Sequence, residues 1–389
     1  MIKYIYADNA ATTEISSKAM CAMLPYLMGT YGNPSSAHYY GRKADKAVSE
    51  ARASIAQSIG AKSEKEIIFT SGGTEADNQA LRTGAWYGQQ IKKQHIITTQ
   101  FEHHAVLNTV KWLEQQGCSV TYLPVHEDGI VRVKDVEKAI RSNTVMVSVM
   151  MVNNEVGTIQ PIAEIGALCR KRRIIFHTDA VQAVGHIPVN VEEMNIDMLS
   201  MSGHKFHGPK GVGALYVREN CPVLKVMEGG EQESGRRGGT ENVAGIVGMA
   251  EALKESCEHM VENTVNVTRM RTLLMEGILG KIPKCQINGD PLRRVPGNLS
   301  VCFEGIEGAA LVMRLDSEKI CISEGSACTT GTLEPSHVLR AMGVPDNLIG
   351  GAVRITLNEC NSMTQVRTIL ESLIRNVEAL RRMSDMWTV

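Results

Sequence analysis

The runs TVMVSVMM (144–151), IAEIGALCRKR (162–172) and RIIFH (173–177) decide the fold, because they predict a strand, a helix and a second strand in succession. Other apolar runs of similar length extend this pattern, with helical segments such as Thr74–Tyr87 between them: EIIFT (66–70), HIITT (95–99), SVTYL (119–123), IDMLSMS (196–202) and VGALYV (212–217). Short buried strands that alternate with helices are typical of an α/β domain. We therefore expect a mostly parallel sheet covered by helices on both faces.

The pattern changes beyond residue 255. A long helix is predicted over about 245–280 and a final helix near 363–383. Between these helices lie short apolar runs separated by short helices, namely QING, NLSVCF, KICIS and AVRITL. This half of the chain is typical of a smaller α+β domain packed against the first.

Composition excludes several classes of function. The 389 residues carry 41 Lys and Arg against 42 Asp and Glu, so the formal charge of -1 offers no basic surplus for nucleic acid or an anionic membrane. No run of eighteen apolar residues occurs, and the N-terminus MIKYIYADNAATTE lacks the apolar stretch of a signal peptide. The ten cysteines form no CxxC pair. We therefore expect reduced thiols and a cytoplasmic protein.

Two glycine-rich segments are candidate anion-binding loops. SGGTEADN (71–78) follows the strand EIIFT and places Thr74 at a helix start, where free N–H groups and the helix dipole bind phosphate. An ordinary capping turn has the same composition, so that interpretation stays open. GGEQESGRRGGTEN (229–242) is long enough to be functional, although a mobile surface segment is the alternative. The GPKGVG stretch (208–213) lacks the spacing of a nucleotide-binding loop.

A lysine and an aspartate stand at predicted strand ends. Lys205 follows an apolar strand within SMSGHKFHGPKGVG (200–213), among hydroxyl and imidazole groups, and this setting favours Schiff-base chemistry beside a bound phosphate. Asp179 follows RIIFH, where the carboxyl ends of parallel strands converge on a site. A carboxylate there is suited to hold a protonated pyridine nitrogen. Taken singly, a surface lysine and a turn aspartate are the ordinary interpretations.

At this point the chain resembles the cysteine desulfurases, which are pyridoxal-phosphate enzymes of the aspartate-aminotransferase fold. The resemblance extends over nearly the whole length and rests on these runs in this order: YADNAATT, GNPSSAH, FTSGGTEADN, EHHAVLN, VNNEVGTIQPI, HTDAVQAVG, SGHKFHGPKGVG, GGEQESGRRGGTEN, PGNLSV, SEGSACTTGTLEPSHVLRAMG and VRITL. It implies a large α/β domain over 13–255 with a mostly parallel seven-stranded sheet. It also implies a small α+β domain from 1–12 and 256–389 that carries the Cys328 loop.

The resemblance implies how the cofactor is held. Lys205 would bond pyridoxal 5'-phosphate through its amine, and Asp179 would pair with the pyridine nitrogen. Gln182 would hydrogen-bond the ring hydroxyl, and His104 would stack on the ring and act in catalysis. No metal is predicted, because the side chains of the adjacent His103 and His104 diverge and no ligand-spaced partner follows.

Further residues are implied for the phosphate and the substrate. The phosphate would be bound by Gly73, Thr74, Ser202 and His204, with Thr240 reaching it from the neighbouring subunit of a homodimer. Asn154 and Arg354 would hold the carboxylate of L-cysteine, since a guanidinium grips a carboxylate bidentately.

The resemblance also singles out Cys328 as the sulfur acceptor. It lies between small residues in a stretch with Gly325 and Gly331 that predicts a loop, whereas Cys321 in KICIS is predicted to be core. The Cys328 thiolate would take the sulfur of cysteine as a persulfide and pass it to an acceptor protein, such as an iron-sulfur scaffold or a component of thio-cofactor assembly. The chain ends at LRRMSDMWTV, whereas many relatives continue, so scaffold docking is less firmly expected than catalysis.

Two alternatives remain open at this stage. One is a pyridoxal-phosphate lyase for selenocysteine, in which the cysteine loop matters less because selenium leaves more readily. The other is a structural or regulatory protein that has lost turnover, although the presence of Lys205, Asp179 and Cys328 speaks against it. The destination of the sulfur and the role of Cys360 are not decided by the residues.

Overall fold

The computed structural model describes residues 4–325 and 335–383. Within these ranges the strands are β1 (Ile5–Tyr6), β2 (Ile67–Thr70), β3 (His95–Thr99), β4 (Ser119–Leu123), β5 (Thr144–Ser148), β6 (Ile175–Asp179), β7 (Met198–Ser202), β8 (Gly213–Val217), β9 (Cys285–Ile287), β10 (Asn298–Phe303), β11 (Ile320–Cys321), β12 (Ser323–Glu324) and β13 (Ala352–Thr356). The α-helices are α1 (Ser17–Met28), α2 (Tyr39–Ser58), α3 (Gly73–Gln90), α4 (His104–Gln115), α5 (Val133–Ala139), α6 (Ile162–Arg172), α7 (Val243–Lys281), α8 (Gly308–Ser317), α9 (His337–Ala341), α10 (Asp346–Ile349) and α11 (Met363–Arg382).

The predicted α/β architecture with its mostly parallel sheet is confirmed. Seven strands pair in the order β2-β8-β7-β6-β5-β3-β4, and β8 is antiparallel to both of its neighbours while the other pairs are parallel. The strands β5, β7 and β8 are buried along their whole length and β6 along all but its first residue, which explains why their sequences are nearly continuous apolar runs.

The topology brings several strand ends to one edge of the sheet. The parallel strands β5, β6 and β7 finish side by side, and the first residue of β8 is in register with the last residues of β2 and β7. Thr70, Ser202 and Gly213 are therefore neighbours, and Asp179 follows along the same edge. In sheets of this kind, ligands bind outside the carboxyl ends of the strands.

A second structural unit follows along the chain. Its four-stranded antiparallel sheet has the order β12-β13-β10-β9, while the short strand β1 pairs in parallel with β11. The first strand of the chain thus joins the C-terminal half. The long helix α7 packs on α1 and α2 and also on α11, so it connects the two units. The predicted domain boundary at 255 falls inside α7 and stays a prediction.

Each sheet has its own apolar core. Val147, Phe176 and Leu199 are buried in the core around the large sheet, and Leu299 and Val353 are buried in the core around the small one. Within 4–325 and 335–383, no helix has both the length and the apolar character needed to cross a membrane.

Candidate active site

Lys205 lies just beyond β7, in the helical turn Gly203–Lys205. Its side chain is half-buried, and Nζ donates hydrogen bonds to the carbonyl oxygens of Ala10 (2.6 Å) and Ala11 (2.8 Å). These carbonyls belong to the segment that follows β1. An amine that is held by two carbonyls is confined to one position, as covalent chemistry at this nitrogen requires.

Asp179 is the last residue of β6, the neighbour of β7. Its side chain is only 4% exposed, and its Oδ1 accepts a hydrogen bond from the N–H of Val181 (2.9 Å). Burial raises the pKa of Asp179 to about 6, although the Val181 hydrogen bond and the positive charge of Lys205 act to lower it. A buried carboxylate in this position is suited to pair with a cationic nitrogen that enters the site.

Gln182 shares a contact with the lysine. Its Nε2 donates to the carbonyl oxygen of Ala10 (2.9 Å), which also accepts from Lys205. The structure thus brings Lys205, Asp179 and Gln182 together at the carboxyl ends of β6 and β7.

Of the two consecutive histidines, His103 reaches this group. One of its ring nitrogens lies within 4.8 Å of a carboxylate oxygen of Asp179. His103 caps α4, and its Nδ1 accepts a hydrogen bond from the N–H of Ala105 (3.1 Å). Burial, helped by the positive charge of Lys205, lowers the pKa of His103 to about 4. The ring is therefore neutral near pH 7, and its proton lies on Nε2 because Nδ1 is an acceptor.

His104, which the resemblance assigned to the cofactor ring, has a different position. It is the first residue of α4, and its ring packs against that of His337 with the centroids 4.7 Å apart. The rings of His103 and His104 are 6.3 Å apart and tilted by 57°. The structure therefore brings His103, and not His104, to Asp179.

The start of α3 packs closely against the ends of β7 and β8. A Cβ atom on Gly213 would lie 2.7 Å from Cα of Gly72, and one on Gly72 would lie 3.7 Å from Oγ of Ser202. Gly72 has φ +154°, and no side chain caps the helix at this residue. The first N–H groups of α3 therefore face the edge of the sheet as an anion-binding helix terminus does.

The other residues predicted for a phosphate surround this terminus. Thr74 is exposed in the first turn of α3, and a Cβ atom on Gly73 would lie only 2.6 Å from Cγ2 of Val181. His204 follows β7, and its Nδ1 lies 3.1 Å from Oγ1 of Thr12. Burial, together with nearby lysine charges, lowers the pKa of His204 to about 4, so its imidazole is also neutral near pH 7.

The glycine-rich loop 229–242 is attached to the same helix. Arg237 forms an ion pair with Glu75 in the first turn of α3 (2.8 Å). The buried carboxylate of Glu233 accepts two hydrogen bonds from Arg52 (2.6 and 2.7 Å) and one from a main-chain N–H of β2. Thr240 is an exposed residue of this anchored loop.

Arg354 provides the positive charge at the other end of the site. It lies in β13, is only 2% exposed, and donates from Nη1 to the carbonyl oxygen of Asn154 (2.9 Å). Its Nη2 forms an ion pair with Oδ1 of Asp8 (2.9 Å). Nε is buried and makes no hydrogen bond to a described residue. The structure thus brings Asn154 and Arg354 together, through the main chain of Asn154.

Residues 8–11 connect the two ends of the site. Asp8 holds Arg354, the N–H of Ala10 donates to Oγ1 of Thr356 in β13 (2.9 Å), and the next carbonyls accept from Lys205. The candidate site therefore lies where the N-terminal segment passes between the large sheet and β13.

Cys328 lies outside the described residues. Among those that are described, Ser336 donates from Oγ to the buried carboxyl of Glu155, which directly follows Asn154. Burial raises the pKa of Glu155 to about 7, although Ser336 and the charge of Arg354 lower it in part.

Three residues of the site were not predicted from the sequence. His103 was set aside in favour of its neighbour. Asp8 carried a signal, since it is an acidic residue within the small and apolar stretch YADNAA, and such a residue often has a buried cationic partner. Asp77 lies on the face of α3 that also carries Ala76, Ala80 and Leu81, where a carboxylate is not expected.

Comparison with known proteins agrees with this geometry. The profile of the family described as aminotransferase class-V matches residues 5–369. The chain is 47% identical over 384 residues to cysteine desulfurase IscS of Methanosarcina thermophila, covering 99% of this chain and 94% of that protein. It is 48% identical over 380 residues to a cysteine desulfurase of Trichormus azollae, covering 98% and 94%. A solved NifS-like protein superposes with a TM-score of 0.91 at 37% identity, covering 97% of this chain and all of that one.

These families use pyridoxal phosphate, and the lysine, carboxylate and helix terminus described above are the groups that such a cofactor needs. The chain belongs to the class-V aminotransferase family and, within it, to the cysteine desulfurases.

Proposed function

We propose that this chain binds pyridoxal 5'-phosphate at Lys205 and uses it to remove sulfur from L-cysteine, leaving L-alanine. The observation that carries the proposal is the meeting of the Lys205 amine, the Asp179 carboxylate and the neutral His103 ring at the ends of β6 and β7. Asp179, the nearby Asp77 and His103 are also close enough together to share a metal ion. A pyridine ring with its phosphate explains the site better, because it also accounts for the amine of Lys205 beside Asp179 and for the uncapped α3 terminus.

Each residue has a defined task in this proposal. When bound, the cofactor supplies an electron sink for the bonds around the substrate Cα. Asp179 keeps a proton on the ring nitrogen, Gln182 orients the ring through its hydroxyl, and His103 covers one ring face. Lys205 would hold and move protons at Nζ.

The phosphate of the cofactor and the carboxylate of the substrate are bound by separate groups of residues. The α3 terminus at Gly73 and Thr74 binds the cofactor phosphate together with Ser202 and His204. Arg354, fixed in direction by Asp8, takes the substrate carboxylate through donors that include the unpaired Nε.

The sulfur leaves by nucleophilic attack. The Cys328 thiolate attacks the substrate sulfur, a new S–S bond forms, and the electron pair of the broken Cβ–S bond stays on the carbon fragment. That fragment takes up a proton and is released as alanine. The persulfide sulfur then passes to a thiol of an acceptor protein, for which an iron-sulfur scaffold is one candidate.

We also propose a homodimer in a reducing compartment such as the cytoplasm. The dimer is supported by the large apolar side chains that α1 and the residues after it expose to solvent. These are Met20, Leu24, Leu27, Met28 and Tyr31. Thr240 would contact the phosphate of the neighbouring subunit. In support of the compartment, no disulfide joins cysteines in the described part of the chain. A light-scattering mass equal to that of one chain would contradict the dimer.

The function is tested by incubating the purified protein and cofactor with L-cysteine or L-selenocysteine and a thiol reductant. We expect alanine and sulfide to form from cysteine in equal amounts. Formation of alanine from selenocysteine alone would instead favour the lyase. Absence of a visible cofactor band from the protein would contradict the whole assignment.

Variants of the two histidines test which ring covers the cofactor. His103→Ala should lower kcat/KM for cysteine by about 100-fold, since a neutral imidazole beside the reacting group is lost. His104→Ala is the matched control, because His104 packs on His337, and it should change kcat/KM less than about threefold. Stopped-flow traces of the cofactor absorbance provide the measurement. The reverse order of effects would instead support the role that the resemblance implies for His104.

A further inference from the structure

A second buried aspartate lies behind Asp179. Asp77, on α3, is only 1% exposed, and neither of its carboxylate oxygens makes a hydrogen bond within the described residues. One of its oxygens lies within 4.8 Å of an oxygen of Asp179 and of a ring nitrogen of His103. Its other close polar neighbours are Nε2 of His177, 3.6 Å from Oδ1, and the hydroxyl of Ser200, which acts to lower the pKa of Asp77.

The groups around Asp77 do not provide a positive charge for it. His177 is fully buried, and its ring nitrogens lie near the hydroxyls of Ser148 (2.8 Å) and Ser200 (3.1 Å). Burial lowers the pKa of His177 to about 3, so this ring is neutral. His103 is neutral as well. Glu102, a further buried carboxyl in the neighbourhood, has its pKa raised to about 8 by burial.

Two ionised carboxylates at this distance in a dry site would repel each other strongly. The positive charge of Lys205 acts on Asp179, which also accepts the hydrogen bond of Val181. Asp77 has no positive charge beside it, and among the described groups only the Ser200 hydroxyl acts to stabilise its charge. A buried charge without a partner costs several kcal/mol or is removed by protonation.

We propose that Asp77 is a protonated, neutral carboxyl that keeps the negative charge of the aspartate pair on Asp179 and thereby positions that charge for the cofactor ring. The inference rests on the proposed function and deepens it. Burial and the nearby charge of Asp179 also raise the pKa of Asp77 well above its ordinary value, in agreement with this arrangement. Asp77 acts through Asp179, so it is a positioning residue.

The Asp77→Asn variant tests the charge. Asparagine has the same shape and is neutral at every pH, so the pH midpoint of the cofactor's visible absorbance in the holoenzyme should stay within about 0.3 unit of the parent. If Asp77 were ionised, the substitution would remove a charge close to Asp179, and the midpoint would move by about one unit or more. A shift of that size overturns the proposal.

The Asp77→Leu variant tests the positioning role. Leucine removes the polar contacts that Asp77 has with His177 and with the Ser200 hydroxyl behind Asp179, so the dissociation constant for pyridoxal phosphate should rise about tenfold. Unchanged affinity together with an unchanged absorbance midpoint would overturn the positioning role. The Asp346→Asn variant replaces an exposed aspartate far along the chain, and it controls for effects of expression and purification on the measured values.

A direct measurement covers the case in which the leucine variant does not fold. Infrared spectra of the parent holoenzyme should contain protonated-carboxyl C=O absorbance, to which Glu102 also contributes, and Asp77→Asn should lower the intensity of this absorbance by the share of one carboxyl. Its presence in both proteins, unchanged in intensity, would also overturn the proposal. These outcomes are distinct from failure of the proposed function, in which the parent itself shows no visible cofactor absorbance.

Discussion

Lys205→Ala is expected to lower kcat/KM for L-cysteine by about 10⁴-fold or more, with no cofactor bonded covalently to the protein. Two contributions disappear together, namely the covalent attachment at Nζ and the proton transfers that this amine performs. The carbonyls of Ala10 and Ala11 that hold the amine would remain, but no other described lysine takes this place at the end of β7. Alanine formation measures the loss, and borohydride reduction followed by mass spectrometry measures the attachment.

Lys210→Ala is the matched control, because this lysine is exposed and lies only five positions further along the same segment. It should retain the covalent cofactor and activity within about twofold of the parent. A Lys205→Ala protein that still forms a reducible bond to the cofactor would show that another amine holds it. The lysine assignment would then be wrong, although the fold and the family would stand.

Local sequence determined much of the fold. Strands β3, β4 and β10 coincide with the runs HIITT, SVTYL and NLSVCF, and α6 coincides with 162–172. These elements were predictable because a short apolar run marks a strand and an apolar repeat of 3.6 residues marks a helix, and no tertiary contact has to be known to recognise either pattern. The ends of the elements were predicted less accurately than their positions. The run 144–151 continues beyond β5, since its last residues are buried without being paired as a strand.

The choice between the two histidines shows where sequence reasoning stops. His103 and His104 are chemically the same, and a shift of one position separates a helix cap from the first residue of the helix. The cap conformation of His103, with φ −60° and ψ 150°, turns its ring towards Asp179, whereas His104 already has helical geometry. A pattern of residues does not specify that backbone turn.

Asp8 and Asp77 were unpredictable for a different reason. Each depends on a partner far away in the sequence. Arg354 is 346 positions from Asp8. Asp77 lies on helix α3, whereas Asp179 lies at the end of strand β6. Local patterning assigns a burial class and a secondary structure, but it does not assign the partner of a charge. Such pairs emerge only after segments that are distant in the sequence have packed together.

A second large effect is expected on sulfur transfer, in the Cys328→Ala variant. We expect this protein to bind the cofactor as the parent does but to form no persulfide from L-cysteine in the absence of reductant. Reactivity requires a thiolate, and burial raises the pKa of most of the described thiols, which disfavours that form. These are Cys118, Cys169, Cys221, Cys257, Cys285, Cys302 and Cys321. Mass spectrometry of the intact protein provides the measurement, since a persulfide increases the mass by that of one sulfur atom.

Three cysteines provide matched controls. Cys21 and Cys360 are exposed and accessible to solvent, while Cys321 pairs in register with Tyr6, two residues before the Asp8 that holds Arg354. The charge of Asp8 adds to burial in raising the pKa of the Cys321 thiol, so its position near the site does not make it a good nucleophile. Alanine variants of all three should form persulfide as the parent does. Persulfide on the Cys328→Ala protein that disappears when Cys321 is also replaced would transfer the role to Cys321, and the sulfur would then reach a thiol on the β1–β11 pair.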